Sequence, residues 1–217
     1  MSDGLVTTDE VYTAIADERR RLADLLSELT AEQWDTPSLC GDWSVRDVAA
    51  HLVVPLIMGV REFMPILLRA RGNFDRSNVI AAQRVVEQHG PQLPELLAQH
   101  ADSRFKPPGG GPRAPLTDIL VHGQDIRRPL GIARDVVDAD RWRTVLHFVT
   151  ATRAGRIFGY RDMGVSWQAT DIDWAGGAGP TVSGPAEAIL MLMTGRPTAL
   201  NDVTGDGVDV VRRRFAS

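Results

Sequence analysis

Through most of the first 156 residues, apolar side chains return at the helical interval, and a chain patterned this way has to bury helix faces against one another. Thr7 and Glu10 have capping-box spacing. Val11, Ala14, Ile15, Leu22, Leu25, Leu26 and Leu29 follow at helical intervals, which predicts a long first helix. Thr30 to Asp42 breaks the pattern with Pro37 and Gly41 and reads as a connection packed down by Trp34 and Trp43. Ser44 with Asp47 opens a second helix through Val48, Leu52, Leu56, Val60 and Met64, expected to reach about Arg71. One or two shorter helices are expected between Asn73 and Ser103, and the segment from Pro107 to Pro112 suits neither helix nor strand. A third main helix starts near Pro115 and stops at Pro129 to Gly131, and a fourth follows Asp138 or Asp140. Four principal helices with one excursion between the second and third predict a bundle.

After about Arg156 glycine becomes frequent and the periodicity changes. Val165, Trp167 and Ala169 alternate as on a half-buried strand, with Ile172 and Trp174 resuming after a bulge, and Gly176 to Gly179 reads as a turn. A helix through Ile189, Leu190 and Met193 then ends at Gly195 and Pro197. The stretch from Gly205 to Phe215 is a turn followed by a short helix or strand. The expected fold is therefore mainly α, a helical bundle over residues 1–156 and a small α/β domain over residues 157–217.

Charge and composition exclude several classes. A net charge of −4 and a pI near 5.7 leave no clustered positive field of the kind nucleic acid requires. The longest apolar stretch, Val45 to Leu68, is interrupted by Arg46, Asp47, His51, Arg61 and Glu62, so no membrane span is expected. The start shows no basic region followed by an apolar block, and with a single cysteine the chain reads as a cytoplasmic protein, monomer or homodimer. Cys40, before Gly41, is a poor nucleophile candidate because no positive helix end or histidine is evidently near it.

Asp118 and His122 lie four residues apart on the third helix, one turn apart on one face, where two side chains hold one ion together. His51 falls on or beside the inward face of the second helix, and a bundle brings such faces together. Two imidazoles and one carboxylate leave coordination positions open, as in a catalytic zinc or a non-haem iron site. Asp125 is spaced either to replace Asp118 or to hold a histidine from behind. Pro55, four residues after His51, has no amide hydrogen for the His51 carbonyl, so a kink is expected at His51. His89 and His100 are expected at the surface, and His147 in a structural role.

The stretch from Trp34 to Leu52, WDTPSLCGDWSVRDVAAHL, resembles the opening signature of the mycothiol-dependent maleylpyruvate isomerase family, within the DinB-like metal-binding superfamily. A second mark of that family, a carboxylate ahead of His-Gly-x-Asp-Ile, is present as DILVHGQDI from Asp118 to Ile126. The tail from Val182 through Gly195 and Arg196 to Gly207 is similar to the small C-terminal domain of many members. The resemblance implies a DinB-like four-helix bundle that binds a divalent metal, usually taken as zinc, through positions corresponding to His51, Asp118 and His122. Glutamate is commoner in the family at the position of Asp118. It further implies mycothiol as co-substrate, ionised at the metal and attacking a small electrophile for cis–trans isomerisation or S-transfer. Two alternatives stand beside this: a metal-dependent hydrolase with Asp125 as base, and a non-catalytic metal-bound module that binds a ligand or partner.

Overall fold

The computed structural model describes residues 4–5, 7–107, 110–133, 138–151 and 153–216. Pro108 and Gly109, in the middle of the expected breaker segment, lie outside the described residues. The fold is mainly helical with a small three-stranded sheet near the C-terminus, as the sequence predicts. Contacts group the chain into two compact units, one of Tyr12–Phe105 with Asp118–Arg134, the other of Met1–Val11, Lys106–Thr117 and Asp135–Ser217.

The first of these units is helical. Helix α1 (Thr8–Ser27) begins at the expected capping box: Thr7 N–H donates to Glu10 Oε2 at 2.8 Å and Glu10 N–H donates to Thr7 Oγ1 at 3.2 Å. The connection after it holds one turn of helix, α2 (Ala31–Trp34), closed by a second capping box between Thr30 and Gln33. That pair has the spacing that marks a helix start and was legible in the sequence. Helix α3 (Val45–Ile57) starts at the Ser44 and Asp47 box.

The second expected helix does not run on to Arg71. It stops at Ile57, Met58 takes an extended conformation, and a separate α4 (Val60–Arg69) begins after Gly59. Pro55 lies inside the last turn of α3, where its missing amide weakens the helix, and Gly59 supplies a new start. The disruption therefore falls beyond the proline. Helices α5 (Phe74–His89) and α6 (Leu93–Gln99) fill the excursion, and α5 packs against α3. Helix α7 (Arg113–Arg127) ends where a Gly131 at φ 66° allows Ile132 N–H to reach the Arg127 carbonyl at 3.0 Å. Ile15, Leu22, Leu26, Val48, Val85, Leu97, Leu120 and Ile126 are buried in this unit.

In the other unit, helix α8 (Ala139–Ala151) buries Trp142, Val145, Leu146 and Val149. Strand β1 (Ser166–Ala169) pairs antiparallel with β2 (Ala175–Gly177) and parallel with β3 (Thr181–Gly184), giving the order β2-β1-β3. Ile172 lies in the bend between β1 and β2 and does not resume a strand, while Gly176 and Gly177 belong to β2 and not to a turn. Glycines carry no side chain to alternate, so β2 had no period to read. Helix α9 (Ala186–Met193) is apolar and buried on nearly every side, and its first amide is capped by Asp171 Oδ1 at 2.8 Å. The unassigned end is a helix, α10 (Val208–Phe215), with Val211 buried.

Candidate metal centre

Residues from α3, α7 and the loop between α2 and α3 meet in the first unit. Asp118 and His122 share one face of α7, and Asp118 Oδ1 lies 3.5 Å from His122 Nε2. His51 enters from α3, with Nε2 3.8 Å from Asp118 Oδ2. The two imidazoles are edge-on at 5.0 Å between centroids, and one donor atom from each of the three residues lies within 4.8 Å of the others. Separations of 3.5 and 3.8 Å exceed a good hydrogen bond of about 2.7–3.2 Å. They are close to the roughly 3.3 Å that separates two ligands at about 2.0–2.1 Å from a tetrahedral ion. The three side chains thus face a common point more than they bond to one another, and the donor set suits a divalent metal.

Asp125 explains the orientation of His122. It is fully buried, and its Oδ2 lies 2.8 Å from His122 Nδ1. A buried carboxylate that accepts at Nδ1 keeps the proton there and turns the Nε2 lone pair toward Asp118 and His51, the arrangement that orients metal-binding histidines. Of the two roles open to Asp125 in the sequence, the geometry is that of the residue behind the histidine. As a protonation equilibrium of the chain itself, burial disfavours the His122 imidazolium. Hydrogen bonds to Asp125 and Cys40, with the charges of Asp118 and Asp125, outweigh it and raise the pKa to about 10. His51 has no equivalent support: its Nδ1 is buried without a hydrogen-bond partner, and its ring packs against Trp43 at 5.2 Å.

Two neighbours were not found by sequence reasoning. Cys40 offers its sulfur within 4.8 Å of a ring nitrogen of His122 and an oxygen of Asp125, so the expectation that no histidine lies near it is corrected. Its loop is closed by Ser38 N–H to the Trp43 carbonyl at 2.8 Å and tied to α7 by Leu39 N–H to the Asp125 carbonyl at 3.2 Å. Nothing local announces that contact. Arg19 is 5% exposed on α1 and donates from Nη1 to the carbonyls of Ala101 (2.9 Å) and Ser103 (2.8 Å). Burial lowers its pKa to about 10, and the negative charge of Asp118 opposes that shift most strongly. Its register between Ile15 and Leu22 on the buried face of α1 was the available signal. His89 and His100 are half-buried where the surface was expected, and His147 packs its ring edge-on against Trp174 at 6.2 Å.

Residues 15–106 match the family model of the mycothiol maleylpyruvate isomerase N-terminal domain, a span that includes Cys40 and His51 and stops short of Asp118. Two solved structures are similar over 93% of this chain and 93% of their own. One is of a mycothiol-dependent maleylpyruvate isomerase (12% identity, TM-score 0.48), the other of a histidine-to-alanine mutant so described (15% identity, TM-score 0.51). At these identities the likeness concerns fold, and the second structure carries it. No curated protein sequence matches the chain. Among the described residues no helix is long and apolar enough to cross a membrane.

Proposed function

Taking residues 15–106 as an N-terminal domain of the mycothiol maleylpyruvate isomerase family, we propose that this chain is a metal-dependent enzyme. It uses a low-molecular-weight thiol of the mycothiol kind for isomerisation of, or S-transfer to, a small electrophile. The observation that carries the reading is the convergence of His51, Asp118 and His122 with the Nε2 lone pair of His122 turned inward by Asp125. In this reading those three residues would hold a divalent ion, taken as zinc, on a donor set that also suits a non-haem iron. Asp125 is a positioning residue.

When bound, a divalent ion on these three ligands would keep a position open and would supply the positive charge that favours ionisation of a thiol near neutral pH. The chain's residues do the rest. His51 and His122 bind as neutral donors, and Asp118 offsets one positive charge. Trp43 covers the His51 side. Asp118 is the more open ligand, with 30% of its side chain exposed against 12% for His122, and in this reading thiol and electrophile enter from its side. Hydrolysis would need a base beside the ion, and the candidate named for it, Asp125, is fully buried and engaged with His122. The thiol reading needs no such base.

The test is elemental analysis of protein purified without added metal, followed by calorimetric titration of mycothiol into wild type and His51→Ala. About one metal per chain, with thiol binding lost in the variant, is expected. Protein that takes up no divalent metal, or binds thiol equally in both forms, overturns the proposal.

A further inference from the structure

His122 is shared by two donor groups. Cys40, His122 and Asp125 also bring one donor atom each within 4.8 Å of one another, and Cys40 groups there with Asp125 and not with His51 or Asp118. Asp125 sits at Nδ1 and Asp118 at Nε2, and the grouping of Cys40 with Asp125 and not with Asp118 points to the Nδ1 edge of the ring, opposite the first set. The loop that carries Cys40 is held in place by the Ser38–Trp43 and Leu39–Asp125 hydrogen bonds, so the juxtaposition is built into the backbone.

We propose that Cys40, His122 and Asp125 form a second metal-donor set, selective for thiophilic divalent ions, whose occupation excludes occupation of the first. The exclusion, which rests on the reading of the first set, follows from the imidazole. The first set needs the proton on Nδ1 and the lone pair on Nε2. The second needs the reverse tautomer, and a neutral ring supplies only one at a time. Selectivity follows from the 2.8 Å between Asp125 and His122. That distance is shorter than the roughly 3.3 Å between two ligands of one tetrahedral ion. An ion entering this edge must break the hydrogen bond and displace both the thiol proton and the Nδ1 proton of His122 to solvent, leaving the ring proton on Nε2. Only an ion that gains strongly from a thiolate offsets that cost. A harder ion stays with the preformed imidazole and carboxylate donors. A thiophilic ion on the second set would therefore act as an inhibitor by withdrawing His122.

Titration of metal-stripped full-length protein with Co2+ and separately with Cd2+, followed by absorption, tests this. In wild type, Co2+ is expected to bind once without a thiolate charge-transfer band, whereas Cd2+ binds once with one and displaces Co2+. Cys40→Ser should abolish the Cd2+ band and lower Cd2+ affinity by about 100-fold, while Co2+ affinity changes by less than about 10-fold. His51→Ala should do the converse, weakening Co2+ and sparing Cd2+. Absence of the Cd2+ band in wild type, which needs no variant to fold, overturns the second set. Simultaneous binding of Co2+ and Cd2+ overturns the exclusion. Co2+ binding indifferent to His51 instead overturns the first set, so the two failures are distinguishable.

Discussion

Replacing Asp125 by asparagine keeps the side-chain volume and removes both the charge and the constraint on the His122 tautomer. The wild-type carboxylate only accepts, so at 2.8 Å from Nδ1 it holds the ring proton there and leaves Nε2 facing Asp118 and His51. An amide also donates, and a ring with its proton on Nε2 turns N–H toward the metal position. Loss of the partner behind a metal-bound histidine costs about 10- to 100-fold in metal affinity. That range equals about 1.4 to 2.8 kcal/mol. Asp125 is fully buried, so water does not readily substitute, and the upper end, about 100-fold, is expected. The assay is competition for Zn2+ against a chromophoric chelator at fixed pH, with circular dichroism and thermal melting to establish that the variant is folded. The Leu39 N–H bonds the backbone carbonyl of Asp125, so the loop anchor survives the substitution. A folded variant with unchanged Zn2+ affinity would refute the reasoning.

Four further outcomes are expected. The His122 pKa is raised from 6.5 to about 10 in the folded chain despite burial. In chelator-treated protein the stability it contributes is therefore fully present below about pH 6.5 and lost as pH rises towards 10. Denaturation midpoints should fall across that window, less steeply in Asp125→Asn, and a flat profile would contradict it. Because a metal competes with the same proton, apparent Zn2+ affinity should climb over the same range, as isothermal titration at several pH values would show. Trp167→Ala, which removes a 1% exposed indole from β1, should lower stability by about 3–5 kcal/mol in urea unfolding. A loss within about 0.5 kcal/mol, usual for a surface site, would show that the strand's buried face is misassigned. For the proposed division into domains of residues 1–156 and 157–217, limited proteolysis should cut near residue 156 and leave both parts folded; cleavage that leaves neither folded would remove that boundary.

Sequence by itself determined what depends on residues within a turn or two of each other. Thr7 with Glu10 and Ser44 with Asp47 announce helix starts because a capping box closes over three residues, and both boxes are in place. The pairing of Asp118 with His122 on one face of α7 follows from the pitch of a helix, and the family resemblance named His51 as their partner. Tertiary structure alone decided the contacts between distant segments. The Cys40 loop meets α7 only because its backbone is tied to Asp125, and β3 joins β1 in parallel across an intervening hairpin that contains glycines with no pattern to read. It also fixed the direction of Asp125, since spacing puts that carboxylate near His122 but only the fold buries it with Oδ2 2.8 Å from Nδ1. Local periodicity is enforced by the backbone's own hydrogen bonds, whereas which faces meet is settled by the packing of the whole core.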